Sequence, residues 1–475
     1  MKLHNSLTRQ VDDFVPHGEQ IGIYSCGPTV YNNLHIGNLA AFIYADLLRR
    51  VIGVAFPSYK IVHVMNITDV DDKTIRDSKQ SMPYLDPMKA LIVFTRSYEK
   101  IFLGHTAKVG NDVGAMTFIR ATDSIEEMID MFDSLIESGV AYTAEDGIYF
   151  SIEAYKKTGK KYGQLVNLDN SSTSKSRIDN DEYDKDTVSD FALWKKAKPG
   201  EPSWSISVDG KDYSGRPGWH IECSAMSRKL LGEQFDIHTG GVDLLFPHHE
   251  NEIAQSTANT TSDTMARFFI HSNHILVDGK KMSKSLGNFY TLRDIESKGY
   301  SPLAFRLMVL QTHYQNSANF SWDSLSAATN RLNNWRAFAA LRWQANSDIS
   351  QKTEVSYSDH FVAFEKIFVD KLTNNLDTPS ALAAIDELIT KTTEAIGRNS
   401  VGTLTHALEL IDTALGIDLL STTTDITETQ KEILNIRQKA RDQKNWSESD
   451  SLRETLKTQG IAIRDEKDHQ IWFYL

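Results

Sequence analysis

The run IGIYSCG at 21–27 has the apolar character of a short buried strand, and the PTVYNNLHIGN that follows is a turn-rich loop containing Pro28, Gly37 and Asn38. In LAAFIYADLLRRVIG the apolar residues recur near helical spacing, with Arg49 and Arg50 close to the end. IVHVMNI at 61–67 predicts the next strand. Strand, loop, helix, strand is the opening of a parallel α/β sheet, in which ligands bind beyond the carboxyl ends of the strands. The loop at 27–38 is therefore expected at a binding edge.

From 80 to 160 the pattern is mainly helical, and SIEEMIDMFDSLIESG (124–139) predicts an amphipathic helix stopped by Gly139. Residues 164–190 are dense in Ser, Asp and Asn without apolar period, which predicts an exposed loop inside an inserted subdomain. Regular α/β patterning returns with WHIECSAMSRKLLG and FDIHTGG. From 301 onward nearly all the pattern is helical, as in TLTHALELIDTALG and ETQKEILNIRQKARDQKNW. No repeat of fixed period and no low-complexity tract appears. The expected fold is a Rossmann-like α/β parallel-sheet domain with an inserted subdomain, followed by an all-helical C-terminal region.

Composition changes this picture little. At 475 residues the chain has room for about three domains, and 40% hydrophobic with 24% charged residues is ordinary for a soluble globular protein. No stretch approaches the ~20 apolar residues that span a bilayer. The start lacks the apolar core of a secretory signal, so no membrane partner and a cytoplasmic location are expected. The net charge of −12 argues against a nucleic-acid partner unless basic residues gather on one face.

Two cysteines, Cys26 and Cys223, are far apart in sequence, and a single disulfide is a poor reading for a large cytosolic chain. Two buried thiols acting as small hydrophobes are the plainer reading. A third cluster, PHHENE at 247–252, opens a helical run with Pro247 suited to its first turn. His248 and Glu252 are at i and i+4 and share a face, while His249 and Glu250 point away by roughly 100–200°. Two thiolates, one imidazole and one carboxylate make a tetrahedral zinc shell. His249 and Glu252, at i and i+3, are also a possible pair.

His35-Ile36-Gly37-Asn38 lies between the first strand and the first helix. Gly37 allows close approach by a phosphate or adenine, and His35 and Asn38 offer donors where a helix N-terminus favours anions. The plainer reading is an ordinary loop capped by Asn38. Lys281-Met282-Ser283-Lys284-Ser285 follows a strand-like stretch, and its lysines could follow charge developing on a pentacoordinate phosphate. Lys and Ser on a loop are more often solvated surface, yet two such signals at the two ends of one α/β unit reinforce each other.

Together these segments resemble class I aminoacyl-tRNA synthetases, with HIGN where that class has HIGH and KMSKS matched in full. Within the class the chain is similar to the cysteinyl-tRNA synthetases. YSCGPTVYNNLHIGN, NITDVDDK, DFALWK, GRPGWHIECSAM, FDIHTGGVDLLFPHHENEIAQS and KMSKSLGN run in family order across most of the chain.

The resemblance implies one Zn²⁺ held by Cys26, Cys223, His248 and Glu252. It implies an ATP site, with Mg²⁺ accompanying ATP, formed by His35, Gly37, Asn38, Lys281 and Lys284, with His238 and Asp243 near the adenylate. His35, Asn38, Lys281 and Lys284 would be the catalytic groups. Gly27, Thr68 and Trp219 would line the amino-acid pocket. The implied reaction joins L-cysteine to ATP and then to tRNA(Cys), without protein nucleophile or essential general base, in a monomer. Lys431, Arg437, Lys439, Arg441, Lys444 and Arg453 give the best local support for tRNA, although interleaved acids also fit a solvated helix face.

The implied division is 1–120 and 216–300 for the two halves of the catalytic domain, the second including KMSKS, and 121–215 for the insertion. Residues 301–345 would form a stem-contact helical region and 346–475 a C-terminal tRNA-binding region. The chain departs from the family pattern at Asn38, at an acidic loop at 171–187 and at SVDGKDYSG before Arg216. Two other readings compete: a mycothiol-pathway ligase joining cysteine to an amino-sugar, and a catalytically silent, zinc-structured RNA-binding module.

Overall fold

The apolar runs flanking the HIGN loop become the centre of a parallel sheet. In the computed structural model, which describes residues 1–166, 190–283, 286–344, 351–392, 400–465 and 470–474, with backbone alone at 351–358, β1 is Gln20–Ser25 and β2 is Lys60–Ile67. Between them runs α1, Ile36–Ala55, 20 residues long. β3 (Met116–Arg120), β4 (Phe235–Gly241) and β5 (Ala266–Ser272) complete a five-stranded sheet of order β5-β4-β1-β2-β3. All four pairings are parallel. The chain moves outward from β1 in one direction through β2 and β3, and in the other through β4 and β5. Their shared boundary, between β1 and β4, is the topological switch point where such sheets bind ligands.

Helix α2 (Asp72–Ser81) leaves β2, α3 (Trp219–Leu231) enters β4, and α4 (Glu250–Thr257) joins β4 to β5. α2 starts at a reciprocal cap, in which the Asp71 carboxylate accepts from Thr74 N and the Thr74 hydroxyl accepts from Asp71 N. Between β3 and α3 lies a four-stranded antiparallel sheet, in spatial order Gly215–Pro217, Phe191–Lys196, Gly147–Phe150 and Ala141–Thr143. These strands depart from the mainly helical reading of 80–160. GIYF is buried at every position, so it shows neither the alternation of a half-buried strand nor a helical stripe. The helix at 124–139 forms as Ile125–Glu137, and Gly139 follows with a left-handed φ of 74°. The expected exposed loop at 164–190, and with it the acidic loop 171–187, lies almost wholly outside the described residues. SVDGKDYSG carries a small hairpin pairing Ser207–Val208 with Lys211–Asp212.

The sheet has a different apolar core on each face. One joins α1 to helices Pro302–Leu310, Trp322–Ala340, Thr378–Thr392 and Val401–Leu415. The other joins α3, α4 and helix Ile125–Glu137 to the antiparallel sheet. The C-terminal region is helical and closes with a two-stranded ribbon, Ile461–Asp465 paired with Gln470–Tyr474. Helices Glu428–Asp442 and Trp446–Thr458 pack on that ribbon around Leu434, Leu456, Ile461 and Trp472. No described helix is long and apolar enough to cross a membrane.

Candidate active site at the sheet switch point

Cys26 follows β1 directly, and its N–H donates to Thr239 O of β4 at 3.1 Å, so it stands on the switch point itself. Gly27 N donates to the Asn66 side chain at 2.7 Å. A Cβ at position 27 would lie 1.8 Å from Asn66 O, so only glycine lets β1 and β2 end this close. Asn66 Nδ2 donates to the Thr68 hydroxyl at 3.0 Å, and that hydroxyl donates to Glu222 Oε2 on α3 at 2.9 Å. α3 thereby brings His220, Glu222 and Cys223, all buried, against the ends of β1 and β2.

The regular part of α4 begins at Glu250, not at Pro247, and residues 245–249 form a wider turn with Phe246 in extended conformation. His248 nevertheless reaches its i+4 partner, with Nε2 3.0 Å from Glu252 Oε1. Cys26 Sγ is 3.9 Å from Cys223 Sγ and 3.8 Å from Glu252 Oε1. Ligand atoms of Cys26, Cys223, His248 and Glu252 all lie within 4.8 Å of one another. Two sulfurs bound at ~2.3 Å to one tetrahedral ion stand about 3.8 Å apart, so the sulfur spacing fits the metal. A second set, Cys26, His238, His249 and Glu252, meets the same 4.8 Å limit, with His249 Nε2 3.3 Å from Cys26 Sγ.

The surroundings orient these groups. His220 Nδ1 is 2.7 Å from His248 Nδ1, which leaves His248 Nε2 facing Glu252. Trp219 stacks on His248 at 4.1 Å. His238 Nε2 is 2.8 Å from Glu252 Oε2, and His249 Nδ1 is 2.9 Å from His271, which bonds Ser6 in turn. Burial pushes the Glu252 carboxyl up, but His238 and His248 overcome it and hold it at about 2. Burial pulls His248 down, and Glu252 with the Cys223 sulfur raises it to about 10. Burial pushes the Cys26 thiol well up. The pocket thus concentrates carboxylate and sulfur in a dry space, the chemistry of a cation site.

The nucleotide candidates sit around the start of α1. His35 caps the helix, its Nδ1 accepting from Asn38 N at 3.2 Å. With Nδ1 accepting, the neutral ring carries its proton on Nε2. Burial lowers His35 to about 4, against a smaller upward pull from Asp243, so the neutral ring is the form at pH 7. A Cβ on Gly37 would lie 2.9 Å from the His35 ring, so glycine lets that ring fold back over the first turn. Ile36 N donates to Tyr290 O at 2.9 Å and the His35 ring meets Phe289 edge-on, which ties HIGN to the segment after KMSKS. Lys281 pairs with Leu276 across a short hairpin, and Asn288 closes the turn by accepting from Ser283 N and donating to Lys281 O. Asp243 lies 3.9 Å from His274. Lys284 lies outside the described residues.

The sequence-predicted residues therefore fall into two groups. Gly27, Thr68, Trp219 and His238 surround the Cys26–Cys223–His248–Glu252 cluster, and His35, Gly37, Asn38 and Lys281 gather where α1 meets 281–291. Sequence reasoning missed Glu222, Asn66, His220, His271 and Tyr24. The Tyr24 hydroxyl is buried with no nitrogen or oxygen partner among the described residues. All but His271 carried a signal, their place inside the matched segments GWHIECSAM, NITDVDDK and YSCGPTVYNNLHIGN.

Residues 14–330 match the family described as tRNA synthetases class I (C) catalytic domain. Residues 423–472 match the cysteinyl-tRNA ligase anticodon binding domain. The chain is 39% identical to a cysteine–tRNA ligase of Leptospira interrogans over 99% of both chains. The chain belongs to the cysteine–tRNA ligase family. A cysteine–tRNA ligase of Chlamydia muridarum is 40% identical over 98% of both chains. The methionyl-tRNA synthetase of Mycobacterium tuberculosis has a similar fold, with TM-score 0.60 at 11% identity over 87% of this chain and 95% of that one.

The C-terminal family segment corrects the view of its basic residues. Arg437 is buried and forms paired bonds to Asp465 at 2.7 and 2.9 Å. Arg441 and Arg453 also approach Asp465, and Lys431 pairs with Asp425 and Glu428. Three of the six thus reach the ribbon, Lys431 pairs at the start of its own helix, and Lys439 and Lys444 are exposed.

Proposed function

We propose that the protein activates L-cysteine with ATP to cysteinyl-adenylate and transfers the cysteinyl group to the 3′ end of tRNA(Cys). The observation that carries this reading is the Cys26–Cys223–His248–Glu252 cluster on the switch point, in a chain of this family. Those four residues would hold Zn²⁺. They are preferred over the overlapping set because that set leaves the Cys223 sulfur without a role beside Cys26. When bound, zinc supplies a borderline-soft Lewis acid that prefers thiolate to hydroxyl, which separates cysteine from serine better than shape alone.

The rest is positioning. Gly27, Thr68 and Trp219 line the amino-acid pocket, Thr68 held in place by Asn66 and Glu222. His35 Nε2–H, at the positive end of α1, faces the phosphates as a neutral donor. Gly37, Asn38, His238 and Asp243 complete the adenylate site, and Mg²⁺ accompanies ATP. The cysteine carboxylate attacks the α-phosphorus, the bond to the bridging oxygen breaks, and pyrophosphate leaves. Lys281 and Lys284 meet the charge that develops on the phosphate. A terminal ribose hydroxyl of tRNA then attacks the acyl carbon and AMP leaves. The division into catalytic halves, insertion, stem-contact region (301–345) and tRNA-binding region (346–475) assigns the tRNA body to the C-terminal half. A monomer is the proposed state and the cytoplasm the proposed compartment.

The match at 423–472 favours tRNA over an amino-sugar acceptor. Cysteine-dependent exchange of pyrophosphate into ATP, followed by charging of tRNA(Cys) with labelled cysteine, is the test. Exchange without charging would point to another acceptor, and absence of both would reject the reading.

A further inference from the structure

Around the amino-acid pocket the buried carboxylates have their donors, with one exception. Asp69 accepts from Thr122 and Arg96, and Asp71 from Thr74. The exposed Asp72 accepts from Arg216 and Lys195, and the buried Glu250 from the backbone N–H groups of Gly163, Gln164 and Leu165. Glu252 faces His238 and His248. Glu222 is fully buried, and only its Oε2 is bonded, to Thr68. Its Oε1 has no hydrogen-bond partner among the described residues.

An acceptor shut away from water without a donor is costly, and a carboxylate more so. Burial, with the acidic Cys223, Asp71 and Asp69, pushes the Glu222 carboxyl well above its ordinary range, and the Thr68 hydroxyl draws it down only in part. A cation carrying N–H bonds would both fill this acceptor and favour the ionised carboxylate. Position narrows it further. Glu222 precedes Cys223 in α3, the Cys223 sulfur acts on its carboxyl, and its Oε2 is held by Thr68 of the proposed amino-acid pocket. In cysteine three bonds separate sulfur from the ammonium nitrogen, a span of about 3–4 Å. Cys26, Gly27 and Trp219, its neighbours through the same network, are only partly buried, which puts entry on that side.

We propose that Glu222 reads the α-ammonium of the substrate, its Oε1 accepting an N–H while Thr68 anchors Oε2. This rests on the cysteine-activation reading above. In the contrary case Glu222 is only a buried prop for Thr68.

Three thiols separate the two cases by calorimetry on the zinc-loaded protein: cysteine, cysteamine, which lacks the carboxylate, and 3-mercaptopropionate, which lacks the ammonium. The native protein is expected to bind cysteamine at least ~10-fold more tightly than 3-mercaptopropionate. Glu222→Gln is expected to weaken cysteine and cysteamine by about 30-fold and leave 3-mercaptopropionate unchanged, with zinc content and Tm intact. No preference in the native protein, or equal weakening of all three thiols in the variant, overturns the proposal. If Glu222→Gln does not fold, Glu222→Asp takes its place, and equal weakening of cysteamine and 3-mercaptopropionate again overturns it. Normal cysteine-dependent exchange with unselective thiol binding rejects Glu222 alone. Absent exchange with no thiol bound rejects cysteine activation itself.

Discussion

Arg306 and Cys223 are both sealed from solvent, yet the surroundings of one are complete and those of the other are not. Arg306 Nη1 donates to Val109 O and Asn111, Nη2 to Asp46, and Nε to Leu415 O. Asp46 also receives Arg50 at 2.7 Å, Arg49 at 3.2 Å and Asp112 N at 3.1 Å. Arg50 reaches on to Asp412 O and Thr413 O. The cluster bolts α1 to the last turn of helix Val401–Leu415, and it asks nothing of a ligand. Around Cys223, by contrast, Glu222 Oε1, His238 Nδ1 and the Tyr24 hydroxyl have no nitrogen or oxygen partner among the described residues. Beside Asp46 the Nε of Arg49 and the Nδ1 of His63 also lack partners among the described residues, but each nitrogen of Arg306 itself is bonded. A buried polar cluster that satisfies itself holds shape, and one that does not is arranged for something that comes and goes.

That contrast can be broken most forcefully at Cys223. Cys223→Ser should lower cysteine-dependent pyrophosphate exchange by about 1000-fold or more, equivalent to ~4 kcal/mol, because a serine hydroxyl stays protonated and binds zinc poorly. The change in Tm should be small. Zinc content, Tm and exchange measured on one sample decide the matter. Full zinc occupancy with normal cysteine affinity would falsify the metal role.

Arg306→Met should do the opposite. Removing one partner of a buried ion pair leaves Asp46 short of charge, a cost of about 3 kcal/mol moderated by Arg49 and Arg50. Urea unfolding should show that loss, while KM for cysteine in the folded fraction stays native. A raised KM with unchanged stability would erase the distinction between the two clusters.

The smallest effect is in pH. Burial pushes Asp46 up, but Arg306, Arg50 and Arg49 hold it well below its ordinary 3.8. A depressed carboxyl contributes stability that is complete above the ordinary value and drains as pH falls through the folded value. Tm of the native protein should therefore fall with acid below about pH 4, and Asp46→Asn should flatten part of that slope. Equal slopes in the two proteins would mean that Asp46 is not among the groups linked to acid unfolding.

How much of this could be read from the chain depends on distance along it. The i, i+4 geometry of His248 and Glu252 is a local property, and it held even though regular helix begins only at Glu250. Arg437 is the opposite case. Its spacing on helix Glu428–Asp442 resembles a basic face, but Asp465, 28 residues on, takes it into the interior. The strand Gly147–Phe150 has no period because both its faces are covered.

By itself the sequence determined the strand–loop–helix–strand opening of the sheet, the placing of HIGN before α1, and the residue types suited to a cation and a phosphate. Those are properties of neighbours along the chain, governed by helical and strand period. Only the tertiary structure decided that Cys26 and Cys223, 197 residues apart, come within 3.9 Å, and that Glu222 is bonded to Thr68 through one oxygen while the other is buried without a partner among the described residues. It also decided that Arg306 closes a network while His238 leaves one open. Such contacts follow from the order in which β1, β2 and β4 lie side by side. That order is set by burying two apolar faces at once, and no periodicity within a single segment encodes it.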